Sequence, residues 1–343
     1  MQAPATNENT QDNKKRIKKK QKKNRGKQIP LPLLIIIDFL LIAASMLAYA
    51  YFLYLKPQAY SVTNSENAAV VASTDTSSDE GTDAAESLSQ KFAGKFTTGE
   101  ALSTDNMYIS DSVNVTLTSV QQNGVTYYIE DIYIADIACF RTAFAYGVYG
   151  RGYTDTILDM AIDSNAVCAV NGDFYGIDSD GVVIRNGVLY NTEMDSDDDV
   201  LVLYNDGTMK TYTVNEFNPE TAMAEGAWQA WCFGPALIDD NGNAVLSYYD
   251  SVGSIEGLNP RTAVGYYEPG HYCFVTVDGR AAGYSVGMTM QQLAELFQSL
   301  GCTAAYNMDG GQSSVMTFGS AVANQPYKGG REVSDILYIT DLN

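Results

Sequence analysis

The sequence predicts an α+β domain on a mixed, largely antiparallel sheet with few helices, preceded by an N-terminal transmembrane helix. Three observations carry this reading. Leu31 to Leu55 runs almost uninterrupted in apolar residues, long enough to cross a bilayer as a helix. Past residue 96, short alternating or wholly apolar runs recur between Asn-Gly, Pro-Gly and Asp-Gly turns, as strands do. Helical spacing shows in two segments, around 154–162 and 290–300.

Ten of the chain's 21 Lys and Arg fall between Lys14 and Lys27, while Glu8 and Asp12 are the acids of the first 29 residues. Residues 1–29 therefore read as a basic cytoplasmic tail, 30–55 as an uncleaved membrane anchor, and the rest as extracellular. Asp38, the one charge inside the span, lies near its cytoplasmic end, where it can stay hydrated. A cleaved signal peptide is the rival reading, because Ala48-Tyr49-Ala50 has a small-x-small form; the apolar run continuing through Leu55 favours the anchor. The basic run suits a membrane face better than nucleic acid. Residues 56–95, rich in Ser, Thr, Ala, Asp and Glu, bury too little apolar surface to fold alone and read as a disordered tether. Residues 96–343 then form the folded domain, without an internal repeat of fixed period.

Within that domain Val113–Val120 alternates, and Thr126–Ile134 follows after the turn Asn123-Gly124. A capping Thr opens the helical spacing from Thr154 to Ile162. Ala166–Val170 is a wholly apolar strand that delivers Asn171-Gly172-Asp173-Phe174, and a hairpin turns at Asn186-Gly187. Arg261–Tyr267 and Tyr272–Val277 pair around the His271 turn and end at Asp278-Gly279-Arg280. Thr289 caps a helix over Met290–Leu300 with Leu293, Leu296, Phe297 and Leu300 on one stripe, and Gly301 closes it. The strand Ala304–Tyr306 leads to Asn307-Met308-Asp309, and Ile336–Thr340 is the last strand.

Outside the basic tail, 11 basic and 39 acidic residues leave a net charge of −28. Such a surface repels nucleic acid, so an anionic ligand needs a local cation; Arg261, Arg280 and Arg331 are the candidates. The five cysteines, Cys139, Cys168, Cys232, Cys273 and Cys302, show no zinc-ligand spacing and sit among apolar neighbours. One disulfide fits an extracellular setting, but the odd count leaves at least one unpaired. A single histidine, in a hairpin turn, argues against a Ser-His-Asp triad or a histidine-rich zinc site and leaves acid–base work to carboxylates. Calcium is the one cofactor with a sequence candidate. Asp178-Ser-Asp180-Gly181 and Glu193-Met-Asp195-Ser-Asp197-Asp-Asp199 alternate carboxylates with small residues, yet neither is a complete EF-type loop and solvated acidic loops fit as well.

Asp309 stands at a strand's end before Gly310-Gly311-Gln312-Ser313, a turn whose glycines admit positive φ and bring N–H groups toward an anion. It joins Asn171-Gly-Asp-Phe, Phe233-Gly-Pro235, Asn259-Pro-Arg-Thr, Val277-Asp-Gly-Arg, Ser285-x-Gly287-Met-Thr289, Asn307-Met-Asp-Gly-Gly-x-Ser and Arg331-x-Val-Ser. Seven such fragments in this order resemble the phosphodiester glycosidase family, over roughly residues 100–343. The resemblance implies hydrolysis of a sugar-1-phosphodiester, of N-acetylglucosamine type, at the anomeric carbon, in envelope or exopolysaccharide glycans.

That chemistry needs a cation for the departing phosphate and a carboxylate for the oxocarbenium-like carbon or its water. Asp309 is the first choice for nucleophile or base, with Asp173 as its partner, and the forked Arg261 suits the phosphate. The amides of Gly310 and Gly311 and the Ser313 hydroxyl complete the expected cradle, with Asn171, Asn307, Asp278, Arg280 and Arg331 around it. Each has a plain rival: Arg261 as a cross-strand ion pair, Asp173 and Asp278 as turn formers, Arg331 as a loop clamp. Tyr175, Trp228 and Trp231 are candidates for stacking on sugar rings. Two other functions fit the same sequence, a non-catalytic glycan-binding or assembly protein and a metal-dependent phosphodiesterase.

Overall fold

The computed structural model describes residues 30–52, 56–60, 87–173, 175–176, 181–194, 199–247 and 257–342. The chain divides into two compact units, 1–56 and 57–343. In the first, α1 (Leu31–Ala50) starts behind Pro30 with a second proline in its first turn, where a missing N–H costs nothing. Its 20 residues, with a mean hydropathy of 2.5 in an 18-residue window, make it long and apolar enough to cross a membrane.

The second unit begins with β1 (Gln58–Ala59). Next comes the short α2 (Leu88–Lys91), fixed by a capping box of Ser87 and Gln90. Residues 87–95, counted with the tether in sequence, thus carry structure: Lys91 pairs with Glu268 at 2.9 Å, and Phe92 sets its ring edge-on to Tyr133. A meander follows through β2 (Leu102–Thr104), β3 (Met107–Ile109), β4 (Val113–Gln122) and β5 (Val125–Ile134). Asn123 and Gly124, both at positive φ, make the tight turn expected there.

The chain continues through β6 (Phe140–Phe144), β7 (Gly150–Arg151), α3 (Ile157–Asp163) and β8 (Ala166–Asn171). Thr156, not Thr154, caps α3, because Asp155 is held in an extended bridge to Val333. The expected hairpin is β9 (Val183–Arg185) and β10 (Val188–Asn191). Beyond it lie β11 (Val200–Tyr204), β12 (Met209–Tyr212), α4 (Pro219–Ala224) and β13 (Ala227–Cys232). Then come β14 (Arg261–Glu268), β15 (His271–Val277), α5 (Met290–Leu300) and β16 (Ala304–Met308). A capping box of Thr289 with Gln292 opens α5, and Gly301 at φ 85° closes it. The chain finishes with β17 (Met316–Phe318), β18 (Ala321–Val322) and β19 (Asp335–Thr340).

These strands build a seven-stranded sheet, β16-β14-β15-β5-β4-β3-β2, and two five-stranded sheets, β18-β17-β8-β19-β6 and β10-β9-β13-β11-β12, with β1 beside β7. Every strand pairing among the described residues is antiparallel. The main core is shared by all three large sheets and includes Ile132, Phe140, Trp231, Tyr272, Phe274 and Leu337. The other face of the seven-stranded sheet is covered by α5, which buries Leu293, Ala294 and Phe297 against Ala263, Cys273 and Val275. Period-two alternation along β14 therefore decides much: Thr262 and Val264 face the main core, while Arg261 and Ala263 face α5.

Phe140 sits at the centre, edge-on to Tyr272 and to Phe274 with ring centroids 5.4 Å apart in each case. Removing the Phe274 ring leaves a cavity that three sheets border and none can fill alone. Phe274→Ala is expected to cost about 3–5 kcal/mol in urea unfolding, with an unchanged denaturant slope if two-state behaviour holds.

Candidate active site at the converging strand ends

Strand β8 ends at Asn171, β19 begins at Asp335, β9 ends at Arg185, and β16 ends one residue before Asp309. Asn171 is wholly buried and joins these ends. Its Nδ2 donates to the Asp309 carbonyl at 2.7 Å, and its Oδ1 accepts from Thr262 Oγ1 at 2.8 Å. Asn171 thereby ties a five-stranded sheet to the end of the seven-stranded one.

Two charged clusters flank this clasp. In the first, Ser313 Oγ and an Arg331 terminal nitrogen both donate to Asp309 Oδ2 at 2.5 Å, and Arg331 Nε donates to Ser313 Oγ. Burial pushes the Asp309 carboxyl up, and Ser313 and Arg331 oppose that rise. Arg280 lies alongside: a Cβ on Gly311 would sit 3.4 Å from its Nη1. Asn259 Oδ1 accepts from Arg280 Nε at 3.1 Å and from Nη2 at 2.7 Å, and the guanidinium covers the Tyr327 ring. Arg280 itself is exposed.

In the second cluster Arg185 is fully buried between two acids. It donates to Asp173 Oδ2 at 2.8 Å and to Asp335 Oδ2 at 2.9 Å, and also bonds the Ala230 carbonyl. The two carboxylates outweigh burial and hold Arg185 charged. One guanidinium cannot neutralise both acids. Burial raises Asp335 to about 7 even with Arg185 beside it, and the Asp173 charge adds to the rise. A side chain on Gly172 would meet Asp335 Oδ1 at 2.0 Å, so only glycine fits between strand and carboxyl. Phe144, Tyr149, Tyr175 and Tyr190 form an aromatic wall next to this cluster, with Tyr149 stacked on Tyr175 at 5.2 Å.

The structure redistributes several expected roles. Arg261 is adjacent to Asp309 in register, yet its guanidinium turns to the α5 face, donating to the carbonyls of Met288 at 3.1 Å and Gly257 at 2.7 Å. Arg331, not Arg261, is the guanidinium bonded to the Asp309 carboxylate. The Gly311 amide donates to the Pro260 carbonyl at 3.0 Å, and the Gly310 amide serves Asp309 itself, so neither completes an anion cradle. Asp173 and Asp309 are brought near each other through Asn171, but their carboxylates belong to separate guanidiniums.

Asp278 is a buried anchor: it accepts from Tyr284, Asn324 and the Gln325 amide, and burial raises its carboxyl. Asn307 donates to the Gly234 carbonyl at 2.8 Å. Trp228 and Trp231 lie in the main core and cannot stack on a ligand, and Tyr175 is buried as well. His271 stacks between Tyr133 and Tyr267 and bonds Asp131 at 2.7 Å. Phe174 and the acids Asp178, Asp180, Asp195, Asp197 and Asp198 lie outside the described residues. Asp199 accepts from the Ala236 amide, and no group of metal-ligating side chains occurs among the described residues.

Arg185 and Asp335 are site residues that sequence reasoning misses. The available signals are an arginine closing the strand before the Asn186-Gly187 turn and an acid opening an otherwise apolar last strand.

The phosphodiester glycosidase family model matches residues 164–340. Among curated proteins, the SPbeta prophage-derived uncharacterized protein YomE of Bacillus subtilis (strain 168) is 28% identical over 250 residues, 65% of this chain and 38% of the relative. The match thus spans about two fifths of that relative's length. The catalytic domain of zebrafish N-acetylglucosamine-1-phosphodiester alpha-N-acetylglucosaminidase, auto-inhibited by its pro-peptide, superposes with a TM-score of 0.53 at 17% identity, covering 67% of this chain and 83% of that one. A hypothetical protein from Synechocystis gives a TM-score of 0.51 at 14% identity, covering 67% and 62%. At these identities the two structures speak for the fold alone.

The raised Asp335 has a consequence for stability. Its folded value, about 7, exceeds the ordinary 3.8, so the folded state holds the proton more tightly. Its contribution is fully present below about pH 4 and is lost as pH rises through about 7. Wild type is therefore expected to lose stability relative to Asp335→Asn across that window, read from urea midpoints at each pH.

Proposed function

The chain belongs to the phosphodiester glycosidase family, and we propose that it hydrolyses the anomeric C–O bond of sugar-1-phosphodiesters. The observation that supports this best is the Asp309 carboxylate at the end of β16, held by Ser313 and Arg331 with the exposed Arg280 beside its glycine turn. It combines a buried acid with a cation open to a ligand, as a reaction that expels a phosphate requires.

Asp309 takes the role of base toward water, or of nucleophile at the anomeric carbon. The C–O bond breaks with its electron pair leaving on the phosphate oxygen, and water supplies a hydroxyl to the sugar and a proton to the products. A phosphomonoester leaves readily as an anion, so stabilising its charge matters more than protonating it. Arg280 is the residue assigned to that phosphate. Arg331 and Ser313 orient the Asp309 carboxylate and keep it ionised against burial. Asp173, locked to Arg185, positions the Asn171 loop rather than entering the reaction, and the half-buried Tyr149 and Tyr190 of the aromatic wall are the rings assigned to the sugar.

We further assign α1 as a membrane anchor with the basic tail cytoplasmic and residues 57–343 outside, and propose envelope or exopolysaccharide glycans of N-acetylglucosamine type as the substrate. The apolar helix and the Lys-rich run ahead of it support this. Protease added to intact cells should remove the domain and leave the helix protected.

The reaction is tested with the full chain in mild detergent, N-acetylglucosamine-1-phosphate diesters and heavy-oxygen water. Label is expected in the sugar; label in the phosphate would mean P–O cleavage, and binding without turnover would mean a glycan-binding protein. Asp309→Asn is expected to lower kcat by about 10³-fold or more while keeping a cooperative melt.

Ser313 and Arg331 both lower the Asp309 carboxyl, so removing Arg331 weakens the opposition to burial. In Arg331→Ala the acid limb of kcat/KM is expected to move to higher pH, and in Arg331→Lys to stay close to wild type.

A further inference from the structure

We propose that Cys273 and Cys302 form an oxidative cross-linking site, closing to a disulfide when the chain folds in the presence of a disulfide-bearing oxidant. Their sulfurs lie 3.9 Å apart, and both residues are buried, one on β15 and the other just beyond α5. A second observation concerns Gly265, which pairs with Cys273 across the β14–β15 ladder. A Cβ on this glycine would stand 2.6 Å from Cys273 Sγ, 2.8 Å from Cys302 Sγ and 2.7 Å from the Phe297 ring. Gly265 thus leaves a slot above the sheet, and two thiols 29 residues apart in the chain fill it.

The remaining cysteines face other neighbours. Cys139 Sγ points to the Ser112 carbonyl, Cys168 lies against Glu130, and Cys232 packs on Gly181. Cys302 is held in place by its amide donating to the Phe297 carbonyl, the bond that closes α5. A disulfide needs about 2.05 Å between sulfurs, so closing the bond requires both side chains to rotate toward each other over Gly265.

The step balances as thiol–disulfide exchange. One cysteine thiolate attacks the oxidant's disulfide and expels a thiolate, giving a mixed disulfide. The second cysteine thiolate then attacks the bound cysteine sulfur and expels the other thiolate. The two cysteines lose two electrons and their protons; the oxidant's sulfurs gain both as thiols. Burial pushes the Cys273 thiol up, and a neutral thiol is a poor nucleophile. The exchange accordingly belongs to folding, before α5 closes over the sheet. Once formed, the bond fastens the end of α5 to β15, next to the start of β16.

The test refolds the full chain, reduced and unfolded, into detergent containing oxidised and reduced glutathione. It then counts N-ethylmaleimide labels after denaturation and maps the peptides by mass. Of five cysteines, three are expected to label, with residues 273 and 302 in one cross-linked peptide. Cys273→Ser and Cys302→Ser should each label at four and show no such peptide. Gly265→Ala, which fills the slot, should lose the link. Reduction should lower the wild-type Tm by about 5–10 °C and leave both serine variants unmoved. Chain displayed by cells in oxidising medium, mapped in the same way without refolding, should carry the same cross-linked peptide. Five labels on natively folded wild type, or a bridge to another cysteine, would overturn the proposal.

Discussion

One buried amide holds the candidate site together. The Asn171 side chain receives a hydroxyl from β14 and gives an N–H to the backbone just past β16, so two sheets meet through its three atoms. Away from water, each of those groups would cost free energy if left unpaired, by about 1–3 kcal/mol. Its carboxamide can satisfy both partners in one orientation only. The Asp309 backbone therefore stands where the clasp puts it, and the neighbouring charges are arranged around a point already fixed.

Those charges are costly to bury and are handled in two ways. Around Arg185, two carboxylates share one guanidinium beyond the reach of solvent, where the cost of desolvating three charges offsets much of their mutual attraction. Around Asp309, the pairing is half open: Arg331 is about one-third exposed in its side chain, and Arg280 reaches the surface. A closed triad behind and an open pair in front fit a scaffold and a working face respectively. The strongly acidic domain makes the distinction matter, since only a local cation can draw in an anion against that background.

Most elements are legible in the sequence where local chemistry names its own boundary. Thr289, Gln292 and Gly301 mark both ends of α5, and Asn123-Gly124 and Asn186-Gly187 mark two hairpins. Asn171 and Asp309 are visible as polar residues at the ends of apolar strands, and the structure joins them. Sequence alone misplaces Arg261 for a reason of parity: one residue's shift along a strand exchanges the two faces of a sheet, and letters near a turn do not say which face is which. Trp231 resembles a sugar platform because aromatic residues read alike in a core and in a cleft; only the packing of three sheets tells them apart. Arg185 and Asp335 are separated by 150 positions, and nothing local to either announces the other. Strands β11 to β13 are less legible: Asp206-Gly207 marks the turn between β11 and β12, but β12 and β13 mix polar with apolar residues and do not stand out as apolar runs.

The connection between α5 and β16 is only Gly301, Cys302 and Thr303, with Thr303 itself bonded to β14 through the Tyr266 carbonyl. So short a link has no slack. The helix on the outer face and the aspartate on the inner edge are mechanically one part, joined by a five-residue rod. A substitution that loosens the packing of Phe297 or Leu293 would be felt as misalignment at the far end of that rod. Optimising the outer layer for robustness and tuning the carboxylate for turnover are, in this architecture, a single engineering problem.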